Sequence, residues 1–470
     1  MFNRFILWLK DLSQIRLFIA LVLYAAGAAI FFQSIVLPYI IPELHAGNGL
    51  LINGDWVNFH KIAFRKYEEI IAHGWQVWEL RPRGQFPSGV ASIFYVLIHP
   101  EPWSLVPVNA VVWAASGIVV IRIVEIFTNN RGYATLACVP FLFLPSAAMW
   151  YTQILKDGFY TLGLLLLLYS CIRAVKFLWI EVRLKNIIYN FVIILMSITL
   201  VWAVRPYGVH FTLALISFIA VLATVYLLKT LVTHKNIPVT AYVNLTSIIL
   251  AVIFTSNISS LSESNSRISL YNEVIYKPSS YNKKYGSDSF RKSDAEAYIQ
   301  NNWTKSESMP GFLERKLLVL SVIRAKYINI NPEAGSNIKG DEHLFSGNAV
   351  MRFIPRAIQI VYTEPSPIDW FRRLSDGSAS FFYKISMFEM IIVYLGLFFF
   401  LIALWLWRTR WEIWLITAFT GMYLLVHGIV IPNIGTLYRM RYGMLMLLVT
   451  IGLAELMKII HDRNQPSNPL

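Results

Sequence analysis

Two cysteines in 470 residues leave no material for a disulfide framework. Both, Cys138 and Cys171, fall inside long apolar runs, where a thiolate metal site has no partners either. Charge is scarce as well: 14% of residues are Asp, Glu, Lys or Arg against 56% hydrophobic, and the mean hydropathy is +0.53. Soluble domains carry about 25% charged residues, so that class is excluded. The chain also lacks an HExxH pair, a Walker loop, a nucleophile elbow and any Cys/His ligand spacing. Zinc, ATPase and serine-hydrolase chemistry therefore have no motif behind them. No cofactor is expected, and a divalent metal has no support. There is no internal repeat and no low-complexity tract. The net charge of +14 is spread over many loops, so nucleic acid is not an expected partner; anionic membrane lipids and phosphates fit it better.

What is present is a series of apolar runs. Crossing roughly 30 Å of hydrocarbon takes about 20 helical residues. Such runs are read at 15–41, 105–127, 132–150, 158–178, 187–204, 208–228, 239–257, 383–407, 411–431 and 441–459. The expectation is an all-α polytopic membrane protein of about ten transmembrane helices. The first run is too long and too hydrophobic for a cleaved signal peptide and is read as a retained helix. Three parts follow: a transmembrane module over 1–257 with a first loop at 42–104, a loop region with amphipathic helices at 258–382, and C-terminal transmembrane helices at 383–470.

Lys and Arg in short loops resist translocation and orient the bundle. Arg4, Lys10 and Arg16 precede the first span, and Arg131 follows the second. Arg173, Lys176, Arg183 and Lys185 follow the fourth, Lys229 and Lys235 the sixth, Arg408 and Arg410 the eighth; Lys458 and Arg463 close the chain. Every second loop is basic, which puts both termini in the cytoplasm and segments 42–104 and 258–382 outside. The expected location is the cell inner (plasma) membrane.

The first outer segment mixes Trp56, Trp75, Trp78, Arg81, Arg83 and Pro87, as short interfacial helices do. Its stretch 88–98 is too short to span and dips in or lies flat. The second begins Ser/Asn/Lys-rich over 258–310, as an outer loop would, becomes amphipathic over 312–328, and carries a Pro-punctuated run at 354–371 with Trp370 and Phe371 as surface anchors.

With that orientation, Asp55, Lys156, Asp157, Arg205, His210, Glu389, His427, Arg439 and Arg441 gather at or near the outer face. Asp55, followed by His60, can serve as a general base toward an attacking hydroxyl, or cap the helix that starts there. Lys156-Asp157 opens the fourth span, as part of a site or as a snorkelling anchor and a cap. Arg205, held beside Pro206, has the fork geometry that binds phosphate oxygens, or anchors at the interface. Arg439 and Arg441 stand two residues apart on a helix, so only one of them faces a site. Glu389, His210 and His427 lie within spans and must face protein or water.

Taken together, Gly54-Asp55 in the first outer segment, a proline followed by Lys156-Asp157 at the fourth span, and Arg441-Tyr442 at the last resemble the GT-C superfamily. Those are polytopic glycosyltransferases using polyprenyl-phosphate sugars, among them the protein mannosyltransferase and lipid A aminoarabinose transferase branches. The resemblance implies a GT-C-like N-terminal helical module, Asp55 as the catalytic acidic residue and Asp157 as the second acidic position. It implies phosphate-binding roles for Arg205, Arg439 and Arg441, and the substrate-binding set extends to Lys156, His60, Arg81 and Arg83. The partners implied are a polyprenyl-phosphate-linked sugar donor and a glycan, lipid or protein acceptor. Departures are a single Asp where some branches carry an acidic pair, and no sizeable C-terminal soluble domain.

The mechanism expected is inverting: Asp55 deprotonates the acceptor hydroxyl while basic side chains neutralise the departing phosphate. Two other classes compete. A lipid-linked oligosaccharide polymerase or ligase of the O-antigen type shares the topology without needing Asp55. A lipid-linked glycan transporter needs midplane charges and repeated halves, which are lacking.

Overall fold

A computed structural model of the chain describes residues 9, 11–52, 54–233, 238–275, 298–307, 309–330, 337–338, 343–368, 370 and 377–463. Residues 276–297 of the expected outer loop, and Phe371, lie outside them. Among the described residues 83% of the structure is helical and there are no strands. Nine helices among the described residues are long and apolar enough to cross a membrane: Gln14–Ile40, Pro102–Thr128, Asp157–Lys176, Leu184–Val204, Pro206–Val232, Val239–Ser259, Lys384–Leu406, Trp411–Val430 and Ile434–Ile460. A tenth apolar segment, Arg131–Phe143 with Pro145–Thr152, is bent by 70°. The protein is a multi-pass membrane protein.

The helices are α1 (Gln14–Phe31), α2 (Asp55–His73), α3 (Phe86–Leu97), α4 (Val106–Thr128), α5 (Arg131–Phe143), α6 (Pro145–Thr152), α7 (Asp157–Lys176), α8 (Leu184–Val204), α9 (Val209–Val232) and α10 (Val239–Ile275). Then come α11 (Gly311–Ile330), α12 (Gly347–Thr363), α13 (Gly377–Leu406), α14 (Trp411–Val430) and α15 (Ile434–Arg463). They form two compact units, residues 1–267 with 453–470, and residues 268–452. The second inter-span segment thus packs with the last spans, where the sequence suggested a loop region apart from them.

The bent segment was expected as one straight helix. Its break has a local cause: Leu144 precedes Pro145, which disfavours the helical conformation, and takes φ −65°, ψ 148°. The segment nevertheless crosses from one end of α4 to the other. It starts where α4 ends, after a tight turn at Asn129 (φ 50°), with Arg131 3.5 Å from Glu125. It finishes at Gln153, whose backbone carbonyl accepts from the side chain of Asn109, near the start of α4. The alternation of loops is therefore kept through this unit. Residues 42–101, 153–156 and 205–208 share one face, called here the first-segment face.

In the second unit, α12 lies against α14 so closely that a Cβ on Gly428 would stand 2.5 Å from the Ala357 carbonyl oxygen. One on Gly452 would stand 2.0 Å from that of Gly396, so α13 and α15 also meet backbone to backbone.

Candidate functional site

A short turn presents Asp55. Gly47, Asn48 and Gly49 all take positive φ (97°, 50° and 72°), and a Cβ on Gly49 would lie 2.6 Å from that of Gln33. The turn is bolted to the end of the bent segment: the Leu51 amide donates to Gln153 Oε1 (3.1 Å), and Gln33 Nε2 donates to the Thr152 carbonyl (2.6 Å). Trp56, buried, donates its indole N–H to the Leu51 carbonyl. Asp55 follows as the first residue of α2. The N-cap is Gly54, without a side-chain capping bond, so Asp55 stands one position inside the helix rather than at its cap. It is exposed, and its charge complements the helix N-terminus.

One turn further on, Phe59 faces the same side of α2 and is buried. The Lys156 ammonium sits 5.5 Å from the Phe59 ring centre and 3.5 Å from Gln85 Oε1. Asp55 stands one helical turn before the ring that Lys156 contacts. This constellation joins the first segment to the head of the fourth span.

Beside it, Arg205 donates to the Asp157 carboxylate, and the two side chains are only 2% and 3% exposed. Asp157 is the first residue of α7, and Arg205 is the C-cap of α8. Each charge therefore also complements its own helix dipole. The Arg205 guanidinium lies over the Tyr160 ring, 4.9 Å from its centre. The sequence leaves Arg205 as a phosphate ligand or an interfacial anchor, and Asp157 as an acidic site residue or a helix cap. The fold instead matches them to each other, which makes them the clasp between the fourth and fifth spans.

Arg81 lies over the Trp202 ring at 4.7 Å, half-buried, and burial pulls its pKa below the ordinary arginine value. Arg83 is exposed in the same Pro82–Gly84 turn with φ 53°. Neither forms an ion pair among the described residues. Lys66 is compensated: burial alone would lower its pKa, but hydrogen bonds to Glu69 (2.5 Å) and Glu79 (3.0 Å) outweigh that and raise it.

His60 has both ring nitrogens engaged within the first segment. Nε2 is 3.2 Å from Asn48 Nδ2 and Nδ1 is 2.7 Å from the Tyr95 hydroxyl. Burial lowers its pKa, Lys61 adds to that, and Glu101 opposes it; burial raises that of Tyr95. With both ring nitrogens engaged in this way, His60 braces the turn.

In the second unit, Arg441 is almost fully buried at 1% exposure. It donates to the carbonyls of Ile360 (3.1 Å), Val361 (2.7 Å) and Glu364, at the C-terminal end of α12. A phosphate role was expected from sequence; the guanidinium is committed to helix capping. Arg439, two residues back, is half-buried. The buried Glu389 accepts from the Tyr438 hydroxyl, and His427 lies tilted against Tyr423 with ring centres 4.0 Å apart. In the first unit, exposed His210 has Nδ1 3.4 Å from Ser259 Oγ.

Sequence reasoning missed the two buried charges of α11. Arg324 (1% exposed) donates to the Ile429 carbonyl (2.7 Å) and covers Phe353 at 4.4 Å. Glu314 accepts from the Trp303 indole (2.9 Å) and the Ser306 amide (3.3 Å). Their one sequence signal is a charge on the apolar side of an amphipathic helix.

Among the described residues no cluster of three or more His, Cys, Asp or Glu could hold a metal ion. No family model, no curated protein and no solved structure matches the chain.

Proposed function

We propose that the chain is a membrane glycosyltransferase of the GT-C type, moving a sugar from a polyprenyl-phosphate donor to a hydroxyl acceptor at the first-segment face. The observation that carries this reading is the exposed Asp55 at the head of α2, with Phe59 one turn on beneath the Lys156 ammonium. A base, an anomeric carbon, a bridging oxygen and a cation in line span roughly 6–12 Å, allowing about 3 Å per hydrogen bond. Asp55 and Lys156 meet on the two sides of that requirement through Phe59, one turn along α2 from Asp55 and in contact with Lys156.

In the proposed reaction Asp55 takes the acceptor's hydroxyl proton as the oxygen attacks the anomeric carbon. The bond from that carbon to the phosphate oxygen breaks, its electron pair leaves with the phosphate, and configuration inverts. Lys156, with Arg81 and Arg83, neutralises the departing charge. Arg205 and Asp157 act one step removed, holding the head of the span that follows Lys156 against the end of the span that carries Trp202. The basic-loop asymmetry puts this face outside a plasma (inner) membrane.

The test is transfer by the purified chain in nanodiscs supplied with a panel of polyprenyl-phosphate hexoses and pentoses and an extract of envelope lipids and glycans. Free polyprenyl phosphate is read by mass spectrometry. Release that disappears in Asp55→Asn, with folding unchanged, supports the reading. Release by that variant at the parent's rate, or none by the parent with any donor, sinks it.

A further inference from the structure

The second unit carries a cationic face that the proposed reaction does not use. On α11, residues lie about 100° apart around the helix axis. Phe312, Val319 and Ile323 then fall within about 40° of one another, and Arg315 and Lys316 flank them within an arc of about 100°. All five are exposed, the three apolar side chains at 69%, 52% and 36%. The opposite arc holds the buried Leu317, Ser321, Arg324 and Ala325. Two bonds fix which arc is which: Ser321 donates to the Leu344 carbonyl, and Arg324 donates to the Ile429 carbonyl.

Ile429 is the penultimate residue of the span Trp411–Val430. The inner arc of α11 is therefore fastened where hydrocarbon gives way to headgroups. The one acidic residue of α11, Glu314, is buried at 6% exposure, so the outer arc carries positive charge alone. Neighbouring α12 repeats the pattern, with exposed Met351, Arg352 and Ile358 and no acidic residue.

We infer that the outer arc of α11 rests in the headgroup layer of the surrounding membrane and binds anionic phospholipid, its apolar residues entering the acyl boundary while Arg315 and Lys316 pair with phosphates. Apolar area alone would suit any bilayer. Single-sign charge at the level of the headgroups selects an anionic one, by about fivefold per cation. This inference stands whether or not the chain transfers sugars.

The test uses the full chain with a nitroxide at Val319→Cys, and separately at Ile323→Cys; the native Cys138 and Cys171 are buried and stay unlabelled. The protein is placed in nanodiscs of phosphatidylcholine, with or without phosphatidylglycerol. Collision with a water-soluble nickel complex should fall and collision with oxygen should rise on adding the anionic lipid. The pair R315E/K316E should reverse both, restoring nickel access on the order of tenfold or more. A label equally open to nickel in both membranes, or indifferent to charge reversal, overturns the inference. So does protection independent of lipid and accompanied by label–label broadening, which would mean a second copy covers the arc.

Discussion

Arg205 and Asp157, 48 positions apart in sequence, form an ion pair in which both residues are 2% exposed. Each charge is costly where it sits unless the other is present. Removing Arg205 alone, as Arg205→Met, should destabilise the first unit by about 3–5 kcal/mol, because it strands a buried carboxylate. The double variant with Asp157→Leu should recover most of that loss. Unfolding temperature in detergent checks this; a double variant as unstable as the single would show that Arg205 acts through Tyr160 or its helix terminus instead.

That pairing marks where sequence reasoning stops. The spans were legible because a run of about 20 apolar residues has few other uses. The exposed Asp55 and the helix over 312–328 were legible from local patterning, whereas the run read at 354–371 is helical only as far as Thr363, in a helix that starts at Gly347. A partner 48 positions away depends on how two helix ends meet, so Arg205 read as an open phosphate ligand. Arg441 misled for the same reason: its partners are backbone carbonyls, which no residue type announces. The bend before Pro145 had a local signal, but continuous hydrophobicity outweighed it.

His60 sets a pH dependence. Burial holds its pKa below the ordinary histidine value. The unfolded chain therefore takes up a proton near pH 6.5 that the folded chain refuses. Stability from this group is complete above about pH 6.5 and falls as the pH drops toward the folded value. The unfolding temperature should decline on going from pH 7.5 to 5, and decline less in His60→Gln. Parallel slopes for the two proteins would remove His60 from the account.

Arg441 should behave as a structural cap. Arg441→Met leaves the last carbonyls of α12 without a donor and should cost on the order of 3 kcal/mol. Lysine keeps the charge but not the fork, so Arg441→Lys should recover only part of it. Hydrogen exchange of the amides over 357–363 reports this directly. Unchanged protection in Arg441→Met would return Arg441 to the list of ligand-binding candidates.

The sharpest kinetic contrast separates Asp55 from Arg81. A general base works on the proton in flight, so Asp55→Asn should lower kcat by about 10²–10⁴ with little effect on donor KM. Arg81 is proposed to meet the donor's phosphate before and during transfer, so Arg81→Ala should raise donor KM, on the order of tenfold, and lower kcat less. Trp202 orients that guanidinium from 4.7 Å beneath it. Trp202→Leu should therefore show a weaker version of the same KM effect, and combining it with Arg81→Ala should add little, since the stacked pair acts as one element. Fully additive losses would mean that Trp202 touches the substrate itself. A normal donor KM in Arg81→Ala would leave the phosphate to Lys156 and Arg83.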